Sequence, residues 1–420
     1  MADSPIPVLP KNELKAFVKG FLDRKTLFLE TANQHGSPLW IIESSVFTKN
    51  AKRFSRAFNR FFPDTAFYYA MKSNNHPGMS ALALASGFGL DVSGETEINT
   101  ALNLNARDII FSGPGKTDTE IRLALAHNWH ITLLVDSFGE LERLNALCRK
   151  NPPKGPVNVG IRVNTAPHGL WRKFGIELKA LPRFWKQVRQ VPLIRFKGIQ
   201  CHTSWNHSPA RQIACIKALA DVMETMPEAF TQQIEFIDIG GGYWPEEGEW
   251  LRHDTALASS ENSFVEQPVV PLHYRQPARP IEEFAHSLYT AFATWIFPRV
   301  NCRVCFEPGR WLCHSAMHLI LTVVDKKAPD LVITDAGTNA IGWERFETDY
   351  FPVINLTRPS LCERPCNILG ALCTPHDFWG DTYFGEGIEP GDLLMIPCQG
   401  AYTYSLGQSF IKALPRVVVI

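Results

Sequence analysis

Ala66-Phe-Tyr-Tyr-Ala-Met-Lys72 sets a pattern that recurs down the chain. The run is short, apolar, rich in strand-favouring residues, and ends on a charge. Seven comparable runs follow: Gly89–Ser93, Asp108–Gly113, Ile131–Ser137, Val157–Asn164, Ile194–His202, Ile234–Gly240 and Arg303–Gly309. Helical patterns separate them. Thr117-Asp-Thr-Glu120 and Ser137-Phe-Gly-Glu140 read as capping boxes, in which a hydroxyl and a carboxylate satisfy orphan N–H groups at a helix start. Strands alternating with helices imply parallel pairing. Eight such units over roughly 250 residues predict a closed (β/α)8 barrel. An open, doubly wound sheet is the alternative that the pattern leaves.

Outside the repeat the character changes. After residue 310, short β-rich runs (Met317–Asp325, Asp330–Thr334, Cys366–Leu372, Asp392–Pro397 and Arg416–Ile420) lie between Gly and Pro turns. They predict a mostly antiparallel β domain. Asn12–Gln34 precedes the barrel, and the long, Pro- and Glu-rich stretch Trp244–Pro280 reads as a surface insertion near the site face. At 420 residues the chain exceeds what one core usually holds. The expected boundaries are 37–310 for the barrel, with 1–36 and 311–420 forming the β domain.

The formal net charge is +0, which leaves no electrostatic footprint for nucleic acid or an anionic membrane. Met1–Pro10 lacks a basic segment followed by an apolar run, and no stretch approaches ~20 uncharged apolar residues. The expectation is a cytoplasmic enzyme acting on a small molecule. The ten cysteines are expected to be reduced thiols. Cys302 and Cys305 form a C-x-x-C, but in a strand that spacing sends the side chains to opposite faces, so no metal site is expected.

Barrels of this kind carry function at the carboxyl ends of their strands. Those ends, in order, are Lys72, Asp91, Asn164, His202, Gly240-Gly241-Gly242, and Glu307 with Arg310. Singly each has a bland reading: an end-cap lysine, a tight turn, a core histidine, a simple ion pair. The triplet lacks G-x-G-x-x-G spacing, so it is no dinucleotide fingerprint. Together they have a chemical logic. A lysine forms a Schiff base, consecutive glycines let N–H groups approach a phosphate, a histidine stacks on a ring, and an acid pairs with a protonated pyridine nitrogen. That set describes a pyridoxal phosphate site.

These residues carry a resemblance to a known family. The chain resembles the fold-type III pyridoxal phosphate-dependent decarboxylases, which include diaminopimelate, ornithine and arginine decarboxylases. The matching pieces are Gly36-Ser-Pro-Leu-Trp40, Tyr69-Ala-Met-Lys72-Ser-Asn, Asp91-Val-Ser-Gly, Phe111-Ser-Gly-Pro-Gly-Lys116, Val135-Asp-Ser137, Lys173-Phe-Gly-Ile176, Asp238-Ile-Gly-Gly-Gly242 and Glu307-Pro-Gly-Arg310. The second domain adds Asp335-Ala-Gly-Thr-Asn339, Cys373-Thr-Pro-His-Asp377 and Gly400-Ala-Tyr402. The resemblance implies the two-domain plan also used by alanine racemase. It implies that Lys72 carries the cofactor as a Schiff base, with Asp91 beside it. His202 would stack on the ring, and Glu307 would bond the ring nitrogen and keep it protonated. Gly241, Gly242, Gly309, Arg310 and Tyr402 would hold the phosphate. Cys373 would protonate the substrate carbon after carbon dioxide leaves. In the family that cysteine comes from the partner subunit, which implies a homodimer with shared active sites.

Substrate recognition departs from the family. Where H-x-G-S is usual the chain has His202-Thr-Ser-Trp205, so Ser204 is expected to replace the phosphate-binding serine. Diaminopimelate decarboxylases place a glutamate directly after the cysteine to read the distal amine; here that position is Thr374. Their arginine after D-A-G-x-N falls near Trp343, with Arg345 two residues on. Ornithine-type enzymes put an aspartate beside the cysteine, whereas Asp377 is four residues away. Asp335, Trp343, Arg345, Thr374 and Asp377 are the candidate substrate contacts. Trp205, Trp343 and Trp379 suggest a wider, aromatic pocket, though ordinary packing explains them equally. Cys373-Thr-Pro-His-Asp377 together with Asp335-Ala-Gly-Thr-Asn-Ala-Ile-Gly-Trp-Glu344 is similar to the branch serving carboxylate siderophore assembly, whose enzymes decarboxylate an amino-acid unit joined to citrate. Free diaminopimelate, lysine or ornithine is the alternative substrate. Two other functions fit the plan less well. A racemase pairs the ring nitrogen with arginine, against Glu307, and non-catalytic relatives lack the β domain and Cys373.

Overall fold

The computed structural model describes residues 6–166, 168–251, 270, 272–342 and 350–420. The chain divides into two compact units: Thr48–Glu246 with Arg279–Leu312, and Met1–Phe47 with Glu247–Ala278 and Cys313–Ile420.

The first unit is the predicted barrel. Its strands are β1 (Thr65–Ala70), β2 (Gly89–Val92), β3 (Ile109–Phe111), β4 (Ile131–Val135), β5 (Val157–Asn164), β6 (Ile194–Cys201), β7 (Phe236–Asp238) and β8 (Arg303–Phe306). Each pairs in parallel with the next, β8 returns to β1, and the ring is complete. The open-sheet alternative is thereby excluded. Tyr68, Ile110, Leu134 and Cys305 fill the barrel interior. Except for β5, which ends at Asn164 as expected, the expected strand ends run one to three residues past the observed ones, because the terminal residues already belong to the loops that build the site.

The capping boxes differ from one another. Thr117 accepts from the Glu120 N–H, and the Glu120 carboxylate returns to the Thr117 N–H, so that box is complete. Ser137 accepts from the Glu140 N–H at 3.1 Å, but the Glu140 carboxylate is taken by Lys116 Nζ at 3.0 Å. The Glu140 carboxylate is shared between this buried ammonium and the Asp136 backbone rather than given to the Ser137 N–H. Cys302 and Cys305 are free and buried, and burial pushes the Cys302 thiol up to about 12 and Cys305 well above its ordinary value. Neither is a reactive thiolate at neutral pH.

In the second unit six strands form a ring in the order Leu331–Thr334, Glu363–Leu369, Phe378–Phe384, Ile354–Asn355, Leu393–Ile396 and Met317–Ala328, which pairs back with the first. Leu39–Ile42 and Arg416–Val419 extend the sheet beyond Met317–Ala328. Most of the pairings are antiparallel, as expected. The helices Lys11–Leu22 and Lys25–His35 bury Leu14, Val18, Phe21 and Phe28 against Leu39, Ile41, Ile320 and Met395.

Two segments assigned to the barrel from sequence lie in this unit instead. Residues 37–47 follow Leu39–Ile42 into the β sheet. The described ends of the Trp244–Pro280 stretch pair as Glu249–Leu251 with Tyr274–Gln276, Trp250 packs on Phe17 at 4.6 Å, and His273 bonds Glu363 at 2.7 Å. Aromatic contacts and this hydrogen bond hold the strand pair, so it is a part of the β unit rather than a barrel loop. No helix among the described residues is long and apolar enough to cross a membrane.

Candidate active site

Lys72 lies one residue into the short turn Met71–Ser73 that follows β1. Its Nζ donates to Asp91 Oδ2 at 2.6 Å, and Ser112 Oγ donates to Asp91 Oδ1 at 2.5 Å. Asp91 is the penultimate residue of β2 and is fully buried, while the Lys72 side chain keeps 35% of its surface. The lysine is therefore oriented yet reachable. Burial raises Asp91 above the usual carboxylate range, against the pull of Lys72. Nearby, Glu97 accepts from the Ser93 N–H at 2.7 Å, and burial, reinforced by the charge of Asp91, lifts it to about 7.

Across the barrel mouth, Glu307 follows β8 and is almost completely buried. Gln200 Nε2 donates to its Oε1 at 3.1 Å. Its other oxygen, Oε2, has no hydrogen-bond partner in the structure and lies 3.4 Å from His202 Nδ1. That nitrogen accepts from the Gly241 N–H at 3.2 Å, and His202 Nε2 meets Ser204 Oγ at 3.3 Å. Burial lowers the His202 pKa, so the ring is neutral with its proton on Nε2. Burial alone would raise Glu307, but His202, Lys72 and Asp238 beside it hold it well below the usual range. Asp238 is pushed well above that range by burial and by the charge of Glu307. Of this acid pair, Glu307 is the ionised member.

The glycines are required by space. A Cβ on Gly241 would stand 2.1 Å from the Glu307 carbonyl oxygen, and one on Gly242 would stand 2.4 Å from that of Thr203, at a φ of +80°. A Cβ on Gly309 would meet Ser73 Oγ at 2.7 Å. Backbone therefore approaches backbone where a phosphate would be cradled. Arg310, at the start of the turn Arg310–Cys313, lies with its guanidinium 4.0 Å over the Trp244 ring.

These observations fit pyridoxal phosphate. A buried ionised carboxylate with one unfilled acceptor suits a protonated ring nitrogen, a reachable lysine suits the aldehyde, and the glycine edges with Arg310 suit the phosphate. In the barrel unit the structure brings together Lys72, Asp91, His202, Ser204, Gly241, Gly242, Glu307, Gly309 and Arg310.

Several expected residues fall elsewhere. Asn164 donates to the carbonyls of Trp171 and Phe174 and accepts from the Ala166 N–H, so it shapes the loop after β5. Within the β unit, Asp377 is buried: Oδ2 accepts from the Leu372 N–H and Oδ1 from the Thr338 N–H, both at 2.6 Å. Asp335 is spent on Ser37 Oγ and the Thr322 N–H. These two acids are framework, not free substrate contacts. Trp379 is fully buried and donates to Thr334 and Ala336, so it is packing rather than pocket wall. Cys373 is exposed, with Thr374 beside it, and Tyr402 adopts a φ of 58°. Trp343 and Arg345 lie outside the described residues. Trp205 holds a φ of 51° and is 52% exposed.

Sequence reading passed over four residues. Gln200 and Asp238 sit inside strands, where a polar residue at an inward position was the available signal. Asn206 donates to the carbonyls of Thr203 and Gly241, tying the Ser204 loop to the glycine loop. Trp244 stacks on His207 at 5.2 Å on one side and carries Arg310 on another.

Residues 47–314 match the family described as pyridoxal-dependent decarboxylase, pyridoxal binding domain. The chain is 24% identical to diaminopimelate decarboxylase from Aquifex aeolicus, over 96% of this chain and 90% of that enzyme. It is 26% identical to L-glutamyl-[BtrI acyl-carrier protein] decarboxylase from Niallia circulans, over 86% and 84%. The crystal structure of M. jannaschii diaminopimelate decarboxylase with L-lysine has the same fold, with a TM-score of 0.77, 23% identity, and coverage of 93% and 88%. With a reachable lysine, a glycine cradle and a buried ionised acid on one barrel mouth, and a family match across that whole barrel, the chain belongs to the pyridoxal phosphate-dependent decarboxylases.

Proposed function

We propose that this decarboxylase acts on an amino-acid unit held in a citrate conjugate, as in siderophore assembly, and removes the carboxylate from its α-carbon. One observation carries the reading. The Cys373 loop presents no free carboxylate: Thr374 is neutral, and both oxygens of Asp377 are spent on Leu372 and Thr338. A free distal ammonium taken from water needs an opposing charge to offset its desolvation. A distal nitrogen tied up as an amide needs none. The acyl-carrier relative, whose name describes an amino acid held in a conjugate, supports the same class.

In this reading Lys72 holds the cofactor aldehyde, and Gly241, Gly242, Gly309 and Arg310 hold its phosphate, with Ser204 and Tyr402 assisting. Glu307 would accept from the ring nitrogen, and His202 would pack against the ring. Bound there, pyridoxal phosphate supplies the sink for the electron pair left when carbon dioxide departs. The partner subunit's Cys373 delivers the proton to the α-carbon, which makes the enzyme a homodimer with shared sites. A cytoplasmic location accords with a diffusible substrate.

Whole-chain likeness to diaminopimelate decarboxylases favours a second reading, a free diamino acid as substrate. The test is carbon dioxide release by cofactor-loaded protein from citrate conjugates of diamino acids, diaminopimelate, lysine and ornithine. The proposal expects the highest kcat/KM on a conjugate. A higher value on any free diamino acid would overturn it.

A further inference from the structure

We propose that Gln200 is a positioning residue for Glu307: from near the carboxyl end of β6 it fixes one carboxylate oxygen, so that the other faces the ring nitrogen of the cofactor. This rests on the reading of Glu307 as the ring's partner.

Gln200 lies on β6 directly opposite Asp238 on β7, and Asp238 lies opposite Cys305 on β8. Cys305 packs among Tyr68, Ile110 and Leu134 inside the barrel. An amide and an acid therefore stand, almost fully buried, in a layer where barrels ordinarily place branched apolar side chains. Burying an amide is costly unless it is hydrogen-bonded. Gln200 meets only part of that cost. Its Nε2 reaches Glu307 Oε1 at 3.1 Å, while its own Oε1 has no hydrogen-bond partner in the structure. Leucine or methionine would remove the unpaired Gln200 Oε1 but would leave the buried Glu307 Oε1 without its donor, so the glutamine is there for the carboxylate. What it contributes is an N–H aimed at Glu307.

The type of donor matters. Lysine or arginine there would neutralise Glu307 and remove its pull on a protonated ring. An amide orients the carboxylate and leaves its charge unmatched. The remaining neighbours act the same way. His202 Nδ1 already accepts from the Gly241 N–H, so it does not cap Oε2. Asp238, the protonated partner of the acid pair, hydrogen-bonds to Glu307 and leaves it ionised. Gln200 thus fixes Oε1 and, through it, the direction in which the carboxylate points.

The experiment loads the protein with pyridoxal phosphate labelled with 15N at the ring. It reads the nitrogen chemical shift and the cofactor dissociation constant. Gln200→Met removes the donor at similar volume, and Gln200→His restores an N–H of similar reach. The expected result is a shift toward the unprotonated range and about tenfold weaker binding in Gln200→Met, with both restored toward wild type in Gln200→His. A merely structural residue would lower stability without moving the ring resonance. If Gln200→Met does not fold, Gln200→Leu carries the same comparison. Glu307→Gln separates the two readings. If it moves the resonance while the Gln200 donor deletion leaves shift and affinity as in wild type, the Gln200 proposal alone is overturned. If Glu307→Gln leaves the resonance in place, Glu307 is not the ring's partner and both readings fall.

Discussion

Lys116 closes the motif Phe111-Ser-Gly-Pro-Gly-Lys116, and its replacement by methionine tests whether that motif is framework or site. The ammonium is buried with its carboxylate partner, at 1% and 4% side-chain exposure. It donates to the carbonyls of Gly113 and Leu134 at 2.7 and 2.8 Å and to Glu140 at 3.0 Å. Methionine keeps most of the stem volume and removes all three donors. Breaking one side of a buried pair strands the other charge and costs about 3–5 kcal/mol. That is a large part of the roughly 5–15 kcal/mol that holds a protein folded. Glu140→Gln on the Lys116→Met background should cost far less than it does alone, because the stranded charge is gone; a coupling of about 2 kcal/mol is expected between contacting residues. The assay is urea unfolding followed by circular dichroism at saturating cofactor. Hydrogen exchange at the amides of β3 and β4 localises the loss. A cost below about 1 kcal/mol for Lys116→Met, or strict additivity with Glu140→Gln, would refute the reasoning.

Lys72→Ala should abolish the yellow absorbance of the protein-bound cofactor; an unchanged spectrum would show that another amine holds it. Cys373→Ala should retain cofactor and fall about 10²–10⁴-fold in kcat, the range of a lost general acid, as measured by carbon dioxide release. Glu97 titrates near 7 in the fold against an ordinary value of 4.5, so the folded state holds the extra proton and stability falls as pH rises through that window. Glu97→Gln should therefore gain in Tm relative to wild type from about pH 4.5 to 7 and hold a constant difference above; a difference independent of pH would refute the assignment.

The barrel and the order of its site residues were legible in the linear sequence, for a physical reason. Strand runs, capping residues and turn glycines are local, and the carboxyl-end rule converts their positions into a list of candidate residues without any coordinates. Lys72, Glu307 and the glycine triplet sit at strand ends because only there can backbone and side chain both face a ligand. Domain edges were less legible. Leu39–Ile42 reads like any other strand, and only pairing with Met317–Ala328 and Arg416–Val419 assigns it to the β unit.

What tertiary structure alone decided is the use made of each polar group. Asp377 looked like a substrate carboxylate, and its burial under the Leu372 and Thr338 amides makes it framework. Ser137 opens half a capping box because Lys116, from an earlier loop, takes the carboxylate. Trp244 meets Arg310, and Gln200 meets Glu307, only once the barrel has closed. Local periodicity encodes which face a residue occupies. Which distant atom satisfies a buried donor or acceptor depends on closure and register, and it is those partners that turn a set of strand ends into an oriented lysine, a free acceptor and a cradle.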